Sequence, residues 1–194
     1  MTRCTHLLYL HGFRSSPLSA KAQQMASWVR THRPDLVWCC PQLPPSPRDA
    51  MALVQRLTQD WPEHGVAVMG SSLGGYYATH VAQQRPCRAV LINPAVNPAR
   101  DLAAYIGEQR CWQDPEQRLY FRAEYIDELL ALHAGALQRP QQLLALIAQG
   151  DELLDWREMR ARYQDCVLHV LPGGDHALSD FAHHLPLVTE FLQL

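Results

Sequence analysis

Short apolar runs alternate with longer segments in which apolar residues recur at helical spacing. The runs cover residues 7–10, 36–39, 66–69, 89–92, 143–148 and 167–171, and each is bounded by polar or turn-forming residues. The period of the intervening segments predicts helices near residues 22–29, 50–61 and 73–85, and a closing helix over 186–192. Short apolar runs that alternate with helices are typical of parallel strands covered on both faces. The sequence therefore predicts the α/β fold class, with a compact, mainly parallel sheet of about six strands flanked by helices.

Residues 98–140 break this alternation, because they contain many charges and no clear strand pattern. The segment also carries five aromatic side chains, Tyr105, Trp112, Tyr120, Phe121 and Tyr125. We interpret it as a helical cap inserted between two strands, whose aromatic residues contribute to a binding pocket. The alternative is ordinary crossover helices in which the aromatic residues only pack. Since no linker or repeat divides the chain, residues 1–194 are predicted to form one domain that contains this insertion.

A serine stands where the third apolar run meets the following helix. The residues Gly70-Ser71-Ser72-Leu73-Gly74 have the form G-x-S-x-G, which is the pattern of a nucleophile elbow. The serine of such a turn has a strained backbone, and the flanking glycines remove side chains that would collide. The pattern predicts Ser72 as a nucleophile at the positive end of a helix dipole. A phosphate loop or a dinucleotide site would need Gly-Lys-Ser/Thr or G-x-G-x-x-G, and the segment has neither.

Attack by a serine on a carbonyl also requires an oxyanion hole, which is built from two backbone N–H groups aimed at one point. One of them belongs to the residue after the nucleophile, here Leu73. The first apolar run is followed by His11-Gly12-Phe13, and the Phe13 N–H is the candidate for the other. His11 is interpreted as a scaffold residue of this loop, and a plain turn is the alternative.

The predicted base is His176, which follows the sixth apolar run in Pro172-Gly173-Gly174-Asp175-His176. A serine hydroxyl is a weak nucleophile near neutral pH and needs a base beside it. The elbow belongs to folds in which the order along the chain is serine, acid, histidine. His183 and His184 are the alternatives, but they lie where the closing helix is entered and are interpreted as exposed polar residues.

The predicted acid is Asp151, which directly follows the fifth apolar run and a glycine. Its role would be to hold the imidazole in one tautomer and to stabilise the imidazolium. Asp155 is an alternative that could equally cap the next helix, and Glu152 is a weaker one. Asp175 is interpreted as a residue that shapes the turn before His176.

Composition and charge exclude several classes of function. A net charge of −2 leaves no basic field that would attract nucleic acid or an anionic membrane. No run reaches the roughly 20 apolar residues of a membrane span, and residues 1–10 lack the pattern of a secretion signal, so we expect a cytoplasmic protein. The six cysteines are interpreted as small buried apolar residues. Since neither a zinc-site spacing nor HExxH occurs, no metal and no cofactor are expected.

Several residue combinations resemble the YqiA-type bacterial esterases. They are residues 8–13 with Ser15-Ser16-Pro17 and Lys21-Ala22, residues 41–44, residues 70–79, Asn93-Pro94-Ala95-Val96, residues 150–155 and residues 173–177. The resemblance extends over nearly the whole chain and is weakest in residues 98–140. It implies an α/β-hydrolase fold with carboxylic-ester hydrolase activity, including action on acyl-CoA and short-chain esters. It also matches Ser72, Asp151 and His176 to the nucleophile, the acid and the base.

The chain departs from the family pattern at two positions near the predicted site. Arg14 stands where a small polar residue, often asparagine, is expected, and Asp175 stands where asparagine is also seen. Both leave the three predicted catalytic residues intact and bear on substrate preference.

These observations predict a serine hydrolase that cleaves small-molecule carboxylic esters or acyl thioesters through an acyl-enzyme. The small scaffold favours short acyl chains. The alternative is a non-catalytic binding or interaction protein that keeps the α/β-hydrolase fold. The sequence assigns neither a physiological substrate nor an oligomeric state.

Overall fold

The six apolar runs form the strands of one parallel sheet. The structure is a computed structural model that describes residues 3–194. Its strands in chain order are β1 (His6–Leu10), β2 (Val37–Cys39), β3 (Val66–Ser71), β4 (Arg88–Ile92), β5 (Gly107–Arg110), β6 (Arg118–Phe121), β7 (Leu143–Ala148) and β8 (Val167–Leu171). Six of them pair in the order β2-β1-β3-β4-β7-β8, and every neighbouring pair is parallel. The predicted fold class and strand positions are therefore confirmed.

The register of the sheet brings the carboxyl ends of its central strands to one edge. Leu10 of β1 lies beside Gly70 of β3, and Ser71 of β3 lies beside Ile92 of β4. Ile92 in turn lies beside Leu146 of β7. Because the strands are parallel, the segments that follow β1, β3, β4 and β7 lie along one edge, where α/β folds form their sites.

Helices cover both faces of this sheet. They are α1 (Ala20–His32), α2 (Pro47–Thr58), α3 (Leu73–Gln84), α4 (Pro98–Leu102), α5 (Glu124–Ala131), α6 (Trp156–Arg162) and α7 (Phe181–Leu192). One apolar cluster lies between the sheet and α1 and α7, and a second lies between the sheet and α2, α3, α5 and α6. Strand β7 is buried along its whole length because alternate residues enter the two clusters. The closing helix begins at Phe181, five residues before the predicted start.

The insertion between β4 and β7 is mixed, so the prediction of helices alone is incomplete for residues 98–140. It contains α4, α5 and two short 3-10 turns, but β5 and β6 also pair antiparallel, with Gly107 beside Phe121. Each of these strands has four residues, two of them exposed, and only Phe121 at the end of β6 is buried. A segment this short does not display the two-residue alternation by which a strand is identified from sequence. The role of the insertion as a cap stays a prediction.

The cysteines lie in or beside the apolar core. All six cysteines are free thiols, four of them buried and two half-buried. Burial raises the pKa of the Cys87 thiol to about 12, so this side chain behaves as a small apolar residue.

Among residues 3–194, the helices are too short or too polar for any of them to cross a lipid bilayer.

Candidate active site

Ser72 occupies a strained turn between β3 and α3. Its backbone has φ 57° and ψ −123°, a left-handed conformation that residues with a side chain rarely adopt. Hydrogen bonds hold the turn on both sides. The Ser72 N–H donates to the Ile92 carbonyl at 2.9 Å, and the Ser72 carbonyl accepts from the Ala95 N–H at 3.0 Å. This geometry is that of a nucleophile elbow.

Two glycines allow this turn to fit against β1. A Cβ atom on Gly70 would lie 2.0 Å from the Gly74 carbonyl oxygen, and a Cβ on Gly74 would lie 1.9 Å from the Leu10 carbonyl oxygen. Both distances are far below van der Waals contact with rigid backbone. Any larger residue at either position would therefore displace the turn that carries Ser72.

The loop after β1 lies against the Ser72 side chain. A Cβ atom built on Gly12 would be 3.7 Å from Ser72 Oγ, so the hydroxyl stands directly beside this loop. Among residues 3–194, the backbone N–H groups of Phe13 and Leu73 have no hydrogen-bond partner. An oxyanion hole requires two such free N–H groups, so the assignment of Phe13 and Leu73 stays a prediction.

His11 fixes the loop after β1 through the hydrogen bonds of its buried ring. It is 4% exposed, its Nε2 accepts a hydrogen bond from the Leu43 N–H at 3.0 Å, and its Nδ1 lies 2.9 Å from the Gly12 carbonyl. Since Nε2 accepts, Nδ1 carries the proton and donates to Gly12. Burial lowers the pKa of His11, which favours this neutral form. The geometry agrees with the scaffold role expected for His11.

Asp151 and His176 are brought together by the loops after β7 and β8. His176 Nδ1 lies 2.8 Å from Asp151 Oδ2, and the Asp151 side chain is fully buried. The other carboxylate oxygen, Oδ1, accepts from the N–H groups of Leu153 at 2.9 Å and Leu154 at 2.8 Å. These two bonds fix the rotation of the carboxylate, so Oδ2 faces His176.

The alternative acids and bases have other partners. Asp155 caps α6 by accepting from the Arg157 N–H at 2.9 Å. Glu152 accepts from the backbone N–H of His176 at 2.9 Å, so it holds the loop and does not touch the ring. Asp175 binds the Ser179 N–H at 2.8 Å and its hydroxyl at 2.6 Å. His183 and His184 lie in α7 and do not line the cavity described below.

Asn93 is a residue of this site that the sequence analysis missed. It is fully buried directly after β4, with φ 40°. Its Nδ2 donates to the carbonyls of Asp175 and His176, both at 3.0 Å, and its Oδ1 accepts from the Ala148 N–H at 2.8 Å. One side chain therefore fixes the backbone of the histidine loop to the ends of β4 and β7. The sequence offered two signals, the family resemblance of Asn93-Pro94-Ala95-Val96 and an asparagine between a strand and a proline, but neither assigns the residue a role, and the second is equally typical of a plain turn.

Two cavities meet at the loop after β1, and Gly12, Phe13 and Arg14 line both. The first, here called the serine cavity, has a volume of about 590 Å³ and is lined by Ser72 and His176 together. The second, here called the side cavity, has a volume of about 780 Å³. Its lining includes the apolar side chains of Leu43, Pro44, Leu53, Leu73 and Tyr77.

Three of the five aromatic residues of the insertion line one of these cavities, and the other two pack together beside Phe13. Tyr105 and Trp112 line the serine cavity and Tyr120 lines the side cavity. Phe121 is buried against Phe13, with ring centroids 5.2 Å apart, and Tyr125 packs on Phe121 at 5.4 Å.

Arg14 joins the insertion to the loop after β1. Its guanidinium lies over the Trp112 ring, 4.1 Å from the centroid, and its Nε donates to the Arg110 carbonyl at 2.6 Å. The Trp112 N–H donates to the Arg14 carbonyl at 2.8 Å. The departure from the family pattern at Arg14 thus positions an aromatic wall of the serine cavity.

The described residues offer no cluster of three or more histidine, cysteine, aspartate or glutamate side chains that could hold a metal ion.

Comparison with known proteins agrees with this fold. The family model described as "Uncharacterised protein family (UPF0227)" matches residues 6–193, which confirms the resemblance to the YqiA-type proteins at the level of the family. Mouse alpha/beta hydrolase domain-containing protein 10 is similar in structure, with a TM-score of 0.69, 17% identity, and coverage of 98% of this chain and 90% of that chain. Est1E from Butyrivibrio proteoclasticus with bound ferulic acid has a TM-score of 0.68 at 15% identity, covering 98% and 87%. The esterase domain of a Rhodothermus marinus protein has a TM-score of 0.67 at 20% identity, covering 99% and 86%. At these identities the similarity shows the α/β-hydrolase fold.

Proposed function

This chain belongs to the uncharacterised protein family UPF0227, and on that premise we propose that it is a serine esterase. The observation that carries the proposal is that strained Ser72 and His176, whose ring is hydrogen-bonded to Asp151, line one cavity. Structural neighbours described as esterases support the same reaction class. The substrates are small carboxylic esters, and acyl thioesters fit the same chemistry because a thiol also leaves on protonation.

The reaction proceeds in two halves. His176 Nε2 accepts the Ser72 proton while Oγ attacks the carbonyl carbon, and the resulting oxyanion binds the N–H groups of Phe13 and Leu73. The bond to the leaving oxygen or sulfur then breaks, and His176 returns the proton to that atom. Water next gives a proton to His176 and attacks the acyl carbon. The bond from that carbon to Ser72 Oγ then breaks, His176 returns the proton to Oγ, and the carboxylic acid is released.

Asp151 acts on this reaction through His176. Its Oδ2 accepts from Nδ1–H, which leaves Nε2 free to take the serine proton, and its negative charge stabilises the imidazolium.

We also propose the cytoplasm as the compartment, since six cysteines without a disulfide fit a reducing environment.

A fluorophosphonate probe tests the serine mechanism. We expect stoichiometric labelling of the protein, with the adduct mapped by mass spectrometry of peptides to Ser72, because only an activated serine attacks the phosphorus. Ser71→Ala should label at nearly the same rate, and His176→Asn should label orders of magnitude more slowly. A folded wild-type protein that neither reacts with the probe nor hydrolyses esters would instead be the non-catalytic binding protein.

The aromatic residues of the insertion should differ in effect. We expect Trp112→Ala to change the preference among esters whose alcohol groups differ in length, because Trp112 lines the serine cavity and one methylene contact is worth about 1–3 kcal/mol of discrimination. Tyr125→Ala, which removes only packing against Phe121, should lower the free energy of unfolding by about 2 kcal/mol and affect all esters alike. The measurements are kcat/KM across an ester series and thermal unfolding. Equal selectivity in both variants would show that Trp112 does not contact substrate.

A further inference from the structure

Lys21 is the only lysine in the chain, because the other sixteen of its seventeen basic residues are arginines. It lies in the first turn of α1, half-buried, and lines the serine cavity. Its ammonium donates a hydrogen bond to the carbonyl of Ala177, the residue after His176. Across residues 3–194, no carboxylate is within ion-pair distance of Lys21. An ammonium group has three N–H donors, so two remain for another partner.

The positive end of α1 is also left without compensation. The N-cap residue Ser19 makes no capping hydrogen bond, and the first turn contains no acidic residue. Helix N-termini favour negative charge, so a lysine at this position adds to an already positive potential. Such an arrangement is unfavourable for the helix alone and favourable for a bound anion.

Two hydroxyl groups beside Lys21 lack hydrogen-bond partners. The Tyr9 side chain is 0% exposed, and its Oη has no partner in the structure. Ser19 Oγ is likewise buried without a partner. Burial raises the pKa of Tyr9 and the Ser19 hydroxyl lowers it, so the two hydroxyls lie close together. Both residues line the serine cavity with Lys21, so an anion bound there would supply an acceptor for these buried donors.

The neighbouring carboxylates are hydrogen-bonded to partners other than Lys21. Asp151 and Asp175 raise the pKa of Lys21, but burial has the larger effect and lowers it to about 8, which leaves the amine protonated at neutral pH. Asp151 is engaged by His176 and two backbone N–H groups, and Asp175 by Ser179. The recess formed by Tyr9, Ser19 and Lys21 is therefore a set of donors with one positive charge.

We propose that this recess binds a carboxylate on the leaving group of the substrate, so that the preferred esters are those of hydroxy acids. The inference rests on the proposed esterase function. The leaving group is assigned to this side because His176 must protonate the leaving oxygen, and His176 and the recess share the serine cavity. The side cavity, which begins at the same loop and is not lined by His176, is left for the acyl chain.

Matched pairs of substrates test this assignment. We would measure kcat/KM for the butanoyl esters of glycolate and γ-hydroxybutyrate, each against the ester of the corresponding carboxamide, which has the same shape and no charge. Each value is divided by the rate of hydroxide-catalysed hydrolysis, which removes differences in intrinsic reactivity. We expect wild type to prefer the carboxylate by at least about tenfold in one or both pairs, since charge-assisted hydrogen bonds are strong.

Variants assign the preference to the recess. Lys21→Met should reduce the ratio of carboxylate to carboxamide to near one, and Tyr9→Phe and Ser19→Ala should each reduce it several-fold. Arg30→Met, an exposed cation on the same helix, should keep the wild-type ratio. Because the ratio is an internal comparison, a general loss of activity through the Ala177 contact does not affect it. If Lys21→Met does not fold, the two hydroxyl variants decide.

The outcomes separate this inference from the proposed function. A wild-type ratio near one, or a ratio unchanged in all three recess variants, overturns the inference while Ser72-dependent hydrolysis preserves the esterase. Absence of hydrolysis for every ester overturns both. An equal loss for the carboxylate and carboxamide esters in Lys21→Met would show that the lysine only positions the histidine loop.

Discussion

Replacing Ser72 with alanine should reduce ester turnover by about 10⁶-fold, because no other group at the site can form the acyl-enzyme. Ser71→Ala should retain most of the activity, since the Ser71 hydroxyl belongs to the end of β3 and makes no hydrogen bond in the part of the chain described, residues 3–194. The measurement is steady-state hydrolysis of a short-chain ester by both variants. A dead Ser71→Ala and an active Ser72→Ala would place the elbow one residue earlier.

The strain at Ser72 adds a second expectation for the same position. Ser72→Gly should be as inactive as Ser72→Ala but more stable than it, because glycine adopts φ 57° without the steric cost of a side chain. That strain is worth about 1–3 kcal/mol, and glycine loses about 0.5–1 kcal/mol through its greater freedom when unfolded, so the net gain is about 1 kcal/mol. Thermal unfolding should show a Tm difference of about 3 °C between the two variants. Equal stability would mean that the fold absorbs the strain elsewhere.

The second large effect is expected for Asp151→Asn, which should lower turnover by about 10⁴-fold. The reason lies in the fixed rotation of the carboxylate. The N–H groups of Leu153 and Leu154 both donate to Oδ1, so an asparagine would place its carbonyl there and turn its NH₂ toward His176. The amide would then donate to Nδ1, and the imidazole proton would move to Nε2, where it blocks acceptance of the Ser72 proton.

Asp155→Asn is the matched control for this prediction. Asparagine remains a good N-cap, so the hydrogen bond to the Arg157 N–H should persist, with turnover and stability close to those of wild type. Circular dichroism should show that both variants are folded. A severe loss in Asp155→Asn with an active Asp151→Asn would reverse the assignment of the acid.

The sheet could be predicted from sequence because each strand buried on both faces must be apolar along its length. The run at 143–148 is such a strand, and all six of its residues are buried. The hairpin of β5 and β6 could not be predicted in this way, since its strands rest on one partner each and remain largely exposed. Exposure removes the selection for an alternating pattern, and four residues are too few to establish one.

Residues of the candidate site could be predicted from the sequence where a motif follows directly after a predicted strand. Ser72, Asp151 and His176 each follow an apolar run, and the parallel topology accounts for their common edge. Their catalytic roles stay predictions that the variants above test. Asn93 and Lys21 were noted only as part of the family resemblance and no role was predicted for either, because their roles depend on contacts with residues more than 80 positions away. Neither residue type in its local sequence differs from an ordinary turn or an ordinary helix surface.

The insertion of residues 98–140 lets substrate specificity change separately from the backbone that holds Ser72, Asp151 and His176. Ser72, Asp151 and His176 all lie in short loops at the ends of sheet strands, while Tyr105, Trp112 and Tyr120 line the cavities from the crossover between β4 and β7. Changes in length or composition of this crossover can therefore reshape the walls around a substrate without altering the backbone that holds the reacting groups. In evolutionary terms, the fold tolerates substitutions in the insertion, and these can be selected for a new substrate. Substitutions at Gly70, Gly74 or Asn93 would displace the backbone of the site and are not tolerated.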